Sequence, residues 1–263
     1  MIYFVLPFLI FVLSCGSVSG PKTTDISVQV LPGQDTLKDI GASYIMGKFD
    51  PATHPEFMLI PEEYVDQKGR YIRKDVFEAY KKMYVAAKKE GIQLVIISAT
   101  RNFDAQKKIW EDKWFGKRLL EGGINAWTDI SNDSLRSLKI LEYSSMPGTS
   151  RHHWGTDIDL NALQNQYFAK GEGKKIYQWL NKHAADFGFC QTYTSFGKGR
   201  STGYQEEKWH WSYIPVSGQL TTWAKNHLRD EMITGFAGSQ SASVVKVVQN
   251  YVLGINQQCL LNK

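Results

Sequence analysis

The stretch Ser150-Arg151-His152-His153-Trp154-Gly155-Thr156-Asp157-Ile158-Asp159, read with Glu207-Lys208-Trp209-His210 further on, holds the residue types that a catalytic metal needs. It offers imidazoles, carboxylates and a spare glutamate. Three protein ligands leave the fourth position of a tetrahedral zinc open to water, whereas structural sites close it. A carboxylate outside the coordination shell can then accept that water's proton. This inventory suits metal-assisted hydrolysis. Residue types alone leave choices open. Asp157 and Asp159 share one face of any strand that carries them, and His152 competes with His153 as Glu207 does with Glu206. Asp157 reads either as a partner that orients a ligand histidine or as a plain polar strand residue.

These residues need a frame. The spacing from His152 to Asp159, broken by Gly155, is too irregular for two ligands one helical turn apart. It predicts a loop carrying the histidine and a strand carrying the aspartate. Trp209, Trp211 and Tyr213 alternate with His210 and Ser212, which predicts a strand. Residues three apart on a strand point to opposite sides, so Glu207 must sit on a turn or bulge to share a pocket with His210. Upstream, Val76, Phe77, Tyr80, Met83, Tyr84 and Ala87 follow helical spacing over 73–90, and Gly91 stops that helix. A β-branched run over 93–98 predicts a buried strand. Helices are expected over 105–120, 135–143 and 174–187, a strand over 188–193, and two helices in 220–261 around a loop at 235–241. Residues 50–70 carry Pro51, Pro55 and Pro61 and read as an irregular lead-in.

The chain has 263 residues, 43% apolar and 22% charged, which supports one sizeable domain. Its net charge of +5 is spread, without the basic runs of a nucleic-acid binder. Residues 1–20 contain no charged side chain and 2–13 are almost wholly apolar. That run is short for a membrane span and suits a secretory signal. Val12-Leu13-Ser14-Cys15-Gly16 resembles a bacterial lipobox, with Cys15 as the lipidated residue; the other reading is an ordinary signal cut near 17–20. Export leaves Cys190 and Cys259 as a pair in a compartment where disulfides persist, either bridged or as buried thiols.

Ser-x-His-x-x-Gly-x-x-x-Asp followed by Glu-x-Trp-His resembles the VanY-like D-alanyl-D-alanine carboxypeptidases, in the wider group of lysostaphin-type, D-Ala-D-Ala-cleaving and hedgehog-like zinc folds. The likeness runs from about Phe77 to Tyr213. It takes in Ser98-Ala99-Thr100-Arg101-Asn102-Phe103 with Gln106, and the segment from Trp179-Leu180 to Gly188-Phe189. The resemblance implies an α+β fold over 71–215, a small antiparallel sheet flanked by helices with a zinc site in a cleft on the sheet. It implies Zn2+ held by His152, Asp159 and His210, with Glu207 as general base. Arg101 would act in catalysis and in substrate binding, with Gln106 and Ser150 supporting the cleft. The implied reaction is release of the terminal D-Ala from a peptidoglycan stem peptide by metal-activated water. An endopeptidase of the same fold and a non-catalytic zinc-bearing cell-wall module are the rival readings. Asp157 departs from the pattern, since the family often has alanine there. The remaining expectations are a signal over 1–20, an arm over 21–70 and a helical extension over 216–263 packed on the domain. The protein is expected to be a monomer in the cell envelope, lipid-anchored and facing the periplasm, with no nucleic-acid partner.

Overall fold

A computed structural model of the chain describes Met1, residues 40–197 and residues 199–260. The apolar leader with Cys15 and the first part of the expected arm lie outside those residues. From Ile40 onward the chain forms one compact unit. Two short strands, β1 (Phe57–Leu59) and β2 (Tyr71–Arg73), pair antiparallel within and beside the stretch expected to be irregular. Four more make the central sheet: β3 (Ile96–Ser98), β4 (Asp157–Leu160), β5 (Phe189–Gln191) and β6 (His210–Tyr213). Their order is β3-β4-β6-β5, with every neighbour antiparallel. The helices are α1 (Ala42–Ile45), α2 (Lys74–Lys89), α3 (Phe103–Trp114), α4 (Ala126–Asp129), α5 (Asp133–Ile140), α6 (Gly171–His183), α7 (Ile214–His227) and α8 (Ser241–Val245). The architecture is α+β, as expected. Among the described residues no helix is long and apolar enough to cross a membrane.

Side-chain periodicity explains the layers. α2 buries Val76, Phe77, Tyr80, Met83 and Ala87 along one stripe, and Tyr80 Oη donates to the Leu94 carbonyl at 3.0 Å. β3 is shorter than the strand expected over 93–98 because Asn161, opposite its start, leaves the extended conformation (φ +63°) and its side chain accepts from Val95 N at 3.4 Å. In the sheet, Ile158 and Trp211 alternate with the polar set Asp157, Asp159, His210 and Ser212, so apolar and polar residues take opposite faces. All of these are buried, because the sheet is covered on both sides.

Register then does the positioning. Asp159 lies opposite both Ser98 and His210, and Asp157 lies opposite Ser212. Before β4 the chain makes a 3₁₀ turn over Arg151–Trp154 that closes at Gly155 with φ +72°. A Cβ there would sit 2.4 Å from the Phe57 ring, so the turn needs glycine twice over. α3 is capped by Asn102, whose side chain accepts from Ala105 N, and ends at Trp114 rather than near 120. Its outer face is gripped by the C-terminal segment: Trp110 Nε1 donates to the Ala237 carbonyl at 2.8 Å, and Ala237 N donates to Glu111 Oε1 at 3.1 Å. Cys190 and Cys259 form a disulfide that staples the tail to β5, and Asn256 Nδ2 donates to the Gln191 carbonyl beside it. The tail departs from two plain helices. α7 begins directly after β6 with Pro215 in its first turn, and the second helical stretch is α8 followed by a π-helical turn over Val248–Val252.

Candidate active site

His152, Asp159 and His210 converge from three places: the 3₁₀ turn, β4 and β6. One ligand atom from each lies within 4.8 Å of the others, and all three residues are buried. His152 Nδ1 donates to the Ala99 carbonyl at 2.8 Å, which leaves Nε2, 3.3 Å from Asp159 Oδ2, as the nitrogen with a free lone pair. His210 presents Nδ1 to Asp159 Oδ1 at 3.1 Å, too poorly aligned for a hydrogen bond, so that buried oxygen stays unpartnered. Two imidazoles and a carboxylate converging on one point, with an orphaned buried oxygen among them, fit a divalent cation, and this donor set suits zinc.

The far side of His210 is built as carefully. Its Nε2 donates to Asp157 Oδ1 at 3.0 Å, and Arg151 Nε donates to the same oxygen at 3.0 Å. Thr156 Oγ1 and Ser212 Oγ donate to Asp157 Oδ2 at 2.6 and 3.0 Å. Arg151 in turn reaches Ser212 Oγ and Thr221 Oγ1 of α7, and stacks its guanidinium over Trp154 at 4.4 Å. Burial works to raise the Asp157 carboxyl, but Arg151 and His210 outweigh it and hold the group well below the usual carboxylate range. Asp159 is held down in the same way by the two histidines. Burial opposes charge on His210, yet its hydrogen bond to Asp157 and the negative charge of nearby Asp159 lift it to about 10. The pocket is strongly cation-seeking.

His153, the neighbour that the motif could not separate from His152, has both nitrogens engaged elsewhere. Nδ1 donates to the Arg101 carbonyl at 2.6 Å and Nε2 accepts from Gly148 N at 3.0 Å. Burial drops it to about 3, so it is neutral. Glu207 lies on an irregular segment entering the turn before β6, as its spacing from His210 required. Its Oε2 is 3.4 Å from His210 Nδ1, and burial raises its carboxyl to about 8 against the pull of His210 and Arg101. Glu206 points elsewhere, accepting from Ser195 Oγ.

A cleft of about 600 Å³ opens over these groups, and Arg101, Gln106, Ser150 and Glu207 all line it. Arg101 N donates to the His152 carbonyl, which ties the end of β3 to the turn that carries His152. Its half-buried guanidinium has no hydrogen-bond or ion-pair partner among the described residues, and Nε is fully enclosed. Burial lowers its pKa, with Asp159 and Glu207 opposing. Gln106 anchors Nε2 on the Ser145 carbonyl at 2.8 Å and leaves Oε1 buried and unpaired, as is Ser150 Oγ. These three groups, with Thr100 Oγ1, Asp159 Oδ1 and Tyr204 Oη, line one cleft without hydrogen-bond partners, a costly arrangement unless a ligand completes it. His54, His183 and His227 lie outside it, packed against Phe57, Trp179 and Trp223. Sequence reasoning missed Arg151 and its hydroxyl partners Ser212 and Thr221; a charged residue inside an otherwise catalytic motif was the available signal.

Comparison with known proteins gives four matches. A family model described as VanY, D-alanyl-D-alanine carboxypeptidase, matches residues 69–216, more than half of the chain. A putative carboxypeptidase YodJ of Bacillus subtilis is 29% identical over 176 residues, covering 64% of this chain and 55% of its own. A D-alanyl-D-alanine carboxypeptidase of Enterococcus faecalis is 25% identical over 134 residues, covering 51% and 45%. The chain spans about half the length of these curated relatives. Among solved structures, the LdcB LD-carboxypeptidase aligns with a TM-score of 0.48 at 21% identity, over 78% of each chain.

Proposed function

Since the chain belongs to the VanY family of D-alanyl-D-alanine carboxypeptidases, we propose that it is a zinc peptidase that releases the terminal D-Ala from peptidoglycan stem peptides ending in D-Ala-D-Ala. One observation carries the reading: a three-donor cluster, a buried glutamate 3.4 Å from one donor and an unpaired arginine share a single cleft. His152 Nε2, the Asp159 carboxylate and His210 Nδ1 would hold the metal. Zinc there would supply a Lewis acid and bring the pKa of its water down toward ~7. Glu207, made more basic by burial, takes the attacking water's proton on a carboxylate oxygen and hands it to the leaving amine nitrogen. Arg101 offers its planar N–H fork to the substrate's terminal carboxylate. Gln106 Oε1 and Ser150 Oγ, both without partners, accept and donate hydrogen bonds to the bound peptide. Asp157 keeps His210 in the tautomer whose Nδ1 is free to bind metal.

We also propose export to the cell envelope, with Cys15 as the lipid-bearing residue. Fatty-acid labelling of the chain and of its Cys15→Ser variant tests that, since a label retained by the serine variant removes Cys15 from the account.

The deciding experiment is mass spectrometry of products from a pentapeptide stem ending in D-Ala-D-Ala. The expected product is the peptide lacking one D-Ala, abolished by chelator and by Glu207→Ala. Internal cleavage would make the chain an endopeptidase, and D-Ala release from a tetrapeptide alone would move its specificity to the L,D bond. Binding without turnover would make it a cell-wall binding module.

A further inference from the structure

We propose that Lys113 is a second anion subsite of the cleft, recognising a carboxylate that the bound peptide carries about three residues before its C terminus. The inference rests on the peptidase reading above and adds a substrate requirement to it. α3 turns Gln106, Ile109 and Lys113 into the cleft, the spacing of one helix face. At 1.5 Å per residue, Lys113 lies about 10 Å along α3 from Gln106. An extended peptide rises about 3.3 Å per residue. A chain whose terminal carboxylate lies level with Gln106, which lines the cleft together with Arg101, therefore reaches Lys113 about three residues upstream.

Lys113 differs from the other lysines of its helix. Lys107 and Lys108 face outward, to the Gly235 carbonyl and Asp112. Lys113 is half-buried in the cleft wall, where Nζ donates to Ser144 Oγ at 2.6 Å and pairs with no carboxylate among the described residues. Burial, reinforced by nearby Arg118, lowers it to about 8. Glu121 and Glu207 of the same cleft act on it from a distance but only partly offset its burial, and an ammonium held this way is stabilised by an incoming anion. Ser144 fixes its direction. The adjoining residue, Ser145, anchors Gln106 through its carbonyl, so one short segment holds both ends of the helix's cleft face.

The test uses two pentapeptides ending in D-Ala-D-Ala that differ only in a free carboxylate or its carboxamide at the second residue. Turnover is measured for the full chain, for Lys113→Met and for Lys113→Arg. Equilibrium binding of the matching tetrapeptides gives a readout independent of turnover. We expect the acidic peptide to show a KM about tenfold lower in the parent with little difference in kcat, a preference erased by Met and recovered by Arg. Equal KM values for the two peptides, or a preference that survives Lys113→Met, would overturn the subsite and leave the peptidase reading standing. A Lys113-dependent binding preference without turnover would uphold the subsite and remove the peptidase reading. No binding of either tetrapeptide and no turnover would overturn both.

Discussion

Replacing Asp157 by asparagine isolates the charge beneath His210 while sparing the hydrogen bonds. Arg151 Nε and His210 Nε2 both donate to Asp157 Oδ1, an acceptor that asparagine keeps. Its amide nitrogen takes the place of Oδ2, opposite Ser212 Oγ and Thr156 Oγ1, hydroxyls that can turn and accept instead. The negative charge is what goes. Arg151 and Asp157 have fully buried side chains, and stripping one partner from such a pair costs about 3–5 kcal/mol. With the bonds retained, we expect the lower end, about 3 kcal/mol, measured by urea denaturation of both proteins in chelator. Residues that orient a metal-binding histidine typically change metal affinity by about 10- to 100-fold, so zinc competition against a chromophoric chelator should show a loss in that range. The two readings separate two jobs. Lower stability with unchanged affinity would mean that Asp157 serves Arg151 and not His210. If the variant matches the parent in both, the buried network carries neither load and the reasoning fails. Adding Arg151→Met should recover part of the stability, because removing both charges of a buried pair is often close to neutral.

Other expectations follow from single residues. Glu207→Ala should retain zinc and lose turnover while His210→Ala loses both, and metal analysis of the first variant finding an empty site would reverse the division of roles. Gly47 sits at φ +71° with a would-be Cβ 2.4 Å from His153 Nδ1, whose ring is pinned by two hydrogen bonds. Gly47→Ala should therefore cost about 2–5 kcal/mol, and a thermal melt coinciding with the parent would show that the ring can give way. The Cys190–Cys259 bridge closes a loop of sequence separation 69, so Cys190→Ser with Cys259→Ser should lose about 2–4 kcal/mol in urea; an unchanged midpoint and slope would mean that the tail is held by its packing alone.

The candidate ligands were legible because a metal site gathers uncommon residue types at spacings that neither a helix nor a strand explains. Where neighbours compete, spacing says nothing, and the difference lies in distant backbone. The carbonyls of Ala99 and Arg101 follow one another off the end of β3, taking Nδ1 of His152 and His153 respectively. Only His153 finds a second backbone partner, at Gly148 N. The hairpin of β1 and β2 was hidden because three residues per strand are too few for a period to register, and prolines on either side of β1 read as loop. α2 and α6 were readable because each repeats its apolar stripe over several turns.

Arg151 is the instructive miss. Beside two histidines it reads as one more polar loop residue, and its burial makes sense only after the β4–β6 register sets Asp157 opposite Ser212, with Thr221 supplied by α7. The same register explains how the chain can carry an aspartate at 157. An unaccompanied carboxylate there would be a third buried acidic group around His210, next to Asp159 and Glu207, and would be expelled or neutralised. Arg151 cancels it at 3.0 Å. His210 thus gains an oriented, charge-assisted acceptor without adding net charge to the metal pocket, so the two residues stand or fall as one unit.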